Sequence, residues 1–283
     1  MKENEISLES VLQRNKKLCE SKTGKSIYIP LDYYGTISPD SLFNKQQCGM
    51  TTVKGNSFGP FCPEKYFSRP CEERILFILR ESYIPKESFD AGDRGGHNQA
   101  DIYNKAISDY GWNGIDNKTF ENIARIAYNI SYGEAFDNSI GSKAKACEVL
   151  LNQVAVININ DFPCICSLES NKTFISRWAE KNKDSLNELI EFYNAGLIYC
   201  GGVAYDLYRH QHDREGIFGP YETKVMPFHE ICDIAGHSLF NKRDFFYSSE
   251  HLIINGYHPQ CYSINSTLGL IPIISHWKTT RGH

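Results

Sequence analysis

The sequence predicts an α/β fold: a three-layer α/β/α sandwich around a central, mostly parallel four-stranded sheet, with an N-terminal extension. Two observations carry that prediction. Four short, unbroken apolar runs have the texture of strands buried on both faces: Arg74-Ile75-Leu76-Phe77-Ile78-Leu79, Val154-Ala155-Val156-Ile157, Leu197-Ile198-Tyr199-Cys200 and Leu252-Ile253-Ile254. Between them lie stretches whose apolar residues recur at helical spacing, and strands that alternate with helices build a parallel sheet. The 283 residues allow one large or two small domains with ample core. A hydrophobic share of 41% and a charged share of 23% are ordinary for a globular chain and exclude wholesale disorder or a collagen-like repeat.

Residues 1–72 stand apart as an N-terminal extension packed on a larger domain spanning 73–283. Leu8, Val11, Leu12, Leu18 and Cys19 recur at helical spacing, and the Tyr-, Gly-, Pro- and Ser-rich segment 27–70 reads as loops. After the first strand, Ala100, Tyr103, Ala106, Ile107 and Tyr110 mark one helix, and Phe120, Ile123, Ala124, Ala127 and Ile130 a second. A third, over 143–151, leads into the second strand. Two more, around 173–180 and 185–193, precede the third strand, and Gly201-Gly202 opens another that runs through Tyr208.

Several classes are excluded early. No stretch approaches about 18 consecutive apolar residues, which predicts no membrane span. Residues 1–6 are charged and followed by no apolar run, unlike a signal peptide, so a cytoplasmic location is expected. Ten cysteines without an export signal predict free, mostly buried thiols in a reducing compartment. A net charge of −4 argues against a cationic DNA-coating protein while leaving room for a locally basic groove.

Ligands of open α/β sheets bind beyond the carboxyl ends of the strands, so the residues that follow each strand are the candidates. Arg80-Glu81-Ser82-Tyr83-Ile84-Pro85 follows the first, with Asp90, Asp93, Gly95 and Gly96 downstream. Asn158-Ile159-Asn160-Asp161-Phe162-Pro163 ends the second, Gly201-Gly202-Val203-Ala204 the third, and Asn255-Gly256-Tyr257-His258-Pro259-Gln260 the fourth. Taken singly, each has a bland explanation: a solvated or capping Glu, an Asn-Asp turn, a structural His. Together they bring a carboxylate, an amide and an imidazole to one rim of one sheet.

This ordered set resembles the uracil-DNA glycosylase superfamily, in which a carboxylate-bearing motif follows the first core strand, an Asn follows the second and a His-Pro motif follows the last. The resemblance covers residues 73–283. It implies a monofunctional DNA glycosylase, an N-glycosyl hydrolase that flips a nucleotide out of DNA and hydrolyses its glycosidic bond without a cofactor. It further implies DNA as the partner and a monomeric state.

The residue types suit that chemistry. As the bond breaks, the pyrimidine leaves as an anion and the sugar gains oxocarbenium character. Glu81 is the candidate carboxylate to stabilise the cation and orient water, with Asp90 as its nearby alternative. His258 is the candidate donor to the base O2, where negative charge accumulates. An amide offers a donor and an acceptor to a base edge, a role for Asn158 or Asn160; the two share a face of the strand because a two-residue step does not flip a side chain.

The family usually places a base-stacking aromatic about a dozen residues after the first motif, a position occupied here by Asp93-Arg94-Gly95-Gly96-His97. Tyr83 or Phe89 is the alternative ring, and the glycines would widen the pocket toward a bulkier modified pyrimidine. Repair, or defence against phage with modified DNA, both fit that reading. After His258, the loop from Gln260 to Leu268 resembles the family's minor-groove loop. Tyr262 would be its wedge, and Ser263 with the Gly201 and Gly202 amides would contact phosphate.

No metal is expected. Cys48, Cys62, Cys71, Cys164 and Cys166 lack the spacing of the iron–sulfur branch of the superfamily, and His210, His212, His229, Cys232 and His237 match no tetrahedral zinc pattern. The competing function class is a non-catalytic nucleic-acid or nucleotide-binding module on the same fold, since fold does not fix function.

Overall fold

The computed structural model of the chain describes residues 58–84, 87–88, 91–92, 97–165, 183–202, 224–226, 245–247, 250–261 and 270–280. The helix expected near Leu8, the one around 173–180 and the continuation from Val203 to Tyr208 lie outside them.

The fold is of mixed α/β character. Strands β1 (Gly59–Pro60), β2 (Ile75–Ile84), β3 (Val154–Ile165), β4 (Leu197–Gly201), β5 (Lys224–Met226), β6 (Phe245–Tyr247) and β7 (Leu252–Gly256) form one sheet in the order β1-β3-β2-β4-β7-β6-β5. The four apolar runs are its central block, β3-β2-β4-β7, and every pairing within that block is parallel. The four-stranded expectation is too small. The strands it omits pair antiparallel at the flanks, β1 on β3 and β6 on β7 with β5 beyond. Each has only two or three residues, too few for any periodicity to appear in the sequence.

Alternation along the strands divides the core in two. Ile75, Phe77 and Leu79 of β2 join Val154, Val156, Tyr199 and Ile254 on one face, while Leu76 and Ile78 join Ile157, Ile198 and Ile253 on the other. Helices α2 (Gln99–Tyr110), α3 (Lys118–Tyr132), α4 (Ile140–Gln153) and α6 (Leu270–Thr280) contribute to the first cluster, and α5 (Lys183–Tyr193) to the second. Three of these helices start where a short polar side chain accepts a first-turn amide: Asn98 from Asp101, Asn117 from Thr119 and Ser139 from Ser142. In α3 the apolar stripe Phe120, Ile123, Ala124, Ile126, Ala127 and Ile130 is buried, with Asn122 and Asn129 the polar members of the same buried surface.

Part of the segment expected to form loops is built into this core. Residues 58–70 contain β1 and helix α1 (Pro63–Ser68), and Phe61 and Tyr66 are fully buried. Arg74, just ahead of β2, ties this segment down. Its guanidinium donates to the carbonyls of Phe67 at 3.0 Å, Arg69 at 2.9 Å, and Tyr193 and Asn194 at 3.5 Å, and lies over the Tyr66 and Phe67 rings. Cys62, Cys71, Cys147 and Cys200 are free thiols, the last two buried. No helix among the described residues is long and apolar enough to cross a membrane.

Candidate functional site

The strand order creates a topological switch. From β2 the chain crosses to its neighbour β3, whereas after β4 it continues on the other side, with β5 at the far edge and a return through β6 to β7. At such a point adjacent loops diverge and leave a crevice beyond the carboxyl ends. The β2 and β3 ladder runs on past the apolar core, pairing Leu79 with Asn158 and Glu81 with Asn160, then shifts register before Tyr83 pairs with Cys164. Such a bulge bends the strand and re-aims the residues beyond it. On the other side Cys200 pairs with Asn255 and Gly201 with Gly256, which delivers His258 to the same edge. From β3 to β7 is three strand spacings, roughly 14 Å, the gap that groups reaching in from both sides would have to close.

Two glycines let the last strands close on each other. A Cβ at Gly202 would lie 3.1 Å from the His258 Cβ, and this residue has φ +95°, a conformation that L side chains rarely adopt. A Cβ at Gly256 would collide with the Tyr199 ring, 2.0 Å from Cζ. Gly202 N–H donates to the Gly256 carbonyl at 3.0 Å, fastening the start of the His-Pro loop to β4. Leu79 links this corner to the rest of the edge: its Cδ2 is the atom a Gly201 Cβ would strike first, at 2.7 Å.

His258 is held in one tautomer. The Gln260 backbone N–H donates to its Nδ1 at 3.2 Å, so in the neutral ring Nε2 carries the proton. No other described residue hydrogen-bonds His258. Burial, and secondarily the Arg80 guanidinium, push its pKa down to about 4. The ring is therefore a neutral N–H donor throughout the physiological range.

Asn158 is 2% exposed, and its Nδ2 is a buried donor without a hydrogen-bond partner. Such a group is destabilising unless something binds it, and most buried polar atoms are paired. It lies on the strand face shared by Val154 and Val156, beside Leu79.

The structure thus brings Asn158, Gly201, Gly202 and His258 to one edge, and places Glu81, Tyr83 and Asn160 there by backbone register. Phe89, Asp90, Tyr262 and Ser263 lie outside the described residues. Sequence reasoning missed Arg80 as the charge that helps keep His258 neutral, although it immediately precedes Glu81. It also missed Asn122, whose Nδ2 donates to the Pro259 carbonyl at 2.7 Å from the first half of α3. A buried Asn inside an apolar helical stripe was the available signal. Among the described residues no three His, Cys, Asp or Glu side chains gather into a metal-binding group. A cleft of about 250 Å³ opens at the opposite, amino edge, lined by Glu72, Glu73, Ser131, Gln153 and Lys278 among others, far from these residues. Comparison with protein-family models, with curated proteins and with solved structures finds no match to this chain.

Proposed function

We propose that this chain is a monofunctional DNA glycosylase of a three-layer α/β/α fold, which flips a pyrimidine nucleotide into the carboxyl-edge crevice and hydrolyses its N-glycosidic bond. The observation that carries the reading is the pairing of His258, a neutral imidazole with its Nε2–H uncommitted, with Asn158, a buried amide lacking an acceptor, on one sheet edge. Both groups ask for the same kind of ligand: a flat molecule with carbonyl oxygens on two edges, which a pyrimidine base supplies.

In the reaction, the electron pair of the glycosidic bond leaves with the base. His258 Nε2–H donates to the base O2 as negative charge grows there, a contact stronger in the transition state than in the ground state. The Asn158 amide donates to the opposite carbonyl and so selects the base, with Asn160 its alternative two residues along the strand. Water captures the sugar cation at C1′, and the proton it gives up goes to the departed base anion, so the free base leaves neutral. The Glu81 carboxylate, two residues beyond Leu79 on β2, serves to orient that water and to stabilise the cation.

The test is incubation of the protein with a panel of DNAs carrying uracil and bulkier modified pyrimidines, in single and double strands, followed by detection of abasic sites. Abasic product on at least one substrate is expected. DNA binding without any abasic product would instead favour a non-catalytic binding module on the same fold.

A further inference from the structure

We propose that Asn122 and Tyr199 are positioning residues that grip the backbone on either side of His258 and so set the direction of its Nε2–H. Tyr199 Oη donates to the carbonyl of Tyr257, the residue before His258, at 3.0 Å. Asn122 Nδ2 donates to the carbonyl of Pro259, the residue after it, at 2.7 Å. With the Gly202 amide on Gly256, three carbonyls of the loop are anchored to elements remote in sequence. His258 itself is left with the single local bond from Gln260.

Ordinary packing does not account for either residue. Asn122 is 4% exposed on a buried helix surface that it shares with Phe120, Ile123, Ile126 and the paired Asn129, where an apolar side chain would avoid the desolvation of an amide. Tyr199 runs its ring through the space that any side chain at Gly256 would occupy, so this contact exists only because position 256 has none. The two grips come from different elements, one from helix α3 and one from strand β4. Pro259 contributes no N–H of its own with which the loop could be held. An imidazole that must meet a base oxygen in line needs such a frame, because small misplacements of a reacting group weaken catalysis steeply.

The inference rests on His258 acting as the donor, and the experiment separates the two claims. Asn122→Leu, Tyr199→Phe and the double variant are compared with Ile190→Val, a core change in the opposite cluster that leaves the loop untouched. Two quantities are measured: single-turnover base excision against DNA concentration, and the imidazole ¹⁵N signals of His258 at neutral pH. Each single variant should slow excision by about 10- to 100-fold at saturating DNA, with the half-saturating concentration changed by less than about 3-fold. The His258 Nδ1 and Nε2 signals should move toward the average of the two tautomers. Ile190→Val should change neither. If Asn122→Leu does not fold, Tyr199→Phe, which removes one oxygen and keeps the ring, decides the question. Wild-type excision rates with unchanged imidazole signals overturn the proposal. Should the wild-type protein excise no base at all, the glycosylase reading fails by itself. The imidazole signals then decide the grip: a shift in the variants upholds it and unchanged signals overturn it.

Discussion

Two histidines bracket strand β7, and they are wired in opposite senses. At its amino end His251 is 7% exposed, and its Nδ1 lies 2.9 Å from the Ala195 carbonyl, which can only accept, so this nitrogen carries the proton. At the carboxyl end His258 Nδ1 accepts from the Gln260 amide, so the proton sits on Nε2 and faces no partner among the described residues. The rest of each edge agrees. The amino edge spends most of its polar groups on the fold: Arg74 holds four carbonyls, Gly196 N–H reaches the Cys71 carbonyl at 2.6 Å, and Leu252 N–H the Gly196 carbonyl at 2.8 Å, with the buried Asn152 Oδ1 at the end of α4 as an exception. The carboxyl edge keeps a buried amide and an imidazole N–H in reserve. Polar groups that the fold has consumed hold structure together, and those it leaves unmatched are available to a ligand.

The sharpest way to break this comparison is to remove the reserved groups and ask what is lost. His258→Ala and Glu81→Gln should each lower single-turnover excision by about 10²- to 10³-fold, the usual consequence of removing one donor or charge aimed at a transition state, or roughly 2.7–4 kcal/mol. Thermal melting of both variants should stay close to the parent's. If both variants cut at near-parental rates, the carboxyl edge does not do this chemistry. If only Glu81→Gln remains active, Asp90 becomes the carboxylate to replace.

At the amino edge the expectation reverses. Arg74→Met keeps length and packing but leaves four carbonyls to find other donors and ends the contact with the Tyr66 and Phe67 rings. A loss of about 2–3 kcal/mol in unfolding free energy is expected, measured by denaturant titration, with the excision rate of the folded fraction unchanged. An unaltered stability would show that this edge is not the structural one.

The legibility of these edges in the sequence depends on their physics. Parallel strands buried on both faces announce themselves as unbroken apolar runs, which is why β2, β3, β4 and β7 were legible as strands, while their order across the sheet was not. The flanking strands were not, since a two-residue bridge such as Gly59–Pro60 is defined by its partner β3 alone. The reach of β2 to Ile84 and of β3 to Ile165 was equally hidden, because ladder hydrogen bonds continue through polar residues without any pattern in the side chains. Glu81, Asn158 and His258 were legible as polar residues just past the apolar runs, but Glu81 and Asn158 lie within β2 and β3 and not beyond their ends. Arg74 has the look of a polar start to an apolar strand, and Tyr199 of one more core residue. Their partners are main-chain carbonyls, which leave no mark in a sequence.

A smaller effect tests the electrostatics of the carboxyl edge. The folded chain holds His258 neutral down to about pH 4, whereas an unfolded chain protonates it near the ordinary 6.5. Between those values the unfolded state binds a proton that the folded state refuses. The stability associated with the neutral ring is therefore fully present above pH 6.5 and declines as pH falls toward 4. Denaturant titrations of wild type and His258→Phe should diverge in that window, the wild type falling more steeply. Excision should show no inflection at 6.5. A rate that halves there on acidification would mean that the ring is not kept neutral.

The smallest expected change in stability is the one that most directly separates the two edges. Asn158→Leu replaces a buried amide, whose Nδ2 has no partner, by an apolar side chain of similar size. Removing a paired buried group usually destabilises, but removing an unpaired one relieves a desolvation penalty that nothing offsets. The variant should therefore be as stable as the parent or more so, by up to about 1 kcal/mol, while losing discrimination among pyrimidines in the excision panel. A paired asparagine of similar burial provides the contrast. Asn129 accepts the Phe136 amide at 2.9 Å, and Asn129→Leu should lower stability without touching substrate choice. If Asn158→Leu destabilises as strongly as Asn129→Leu, then the Asn158 amide is satisfied within the fold, and Asn160 becomes the residue to test for reading the base.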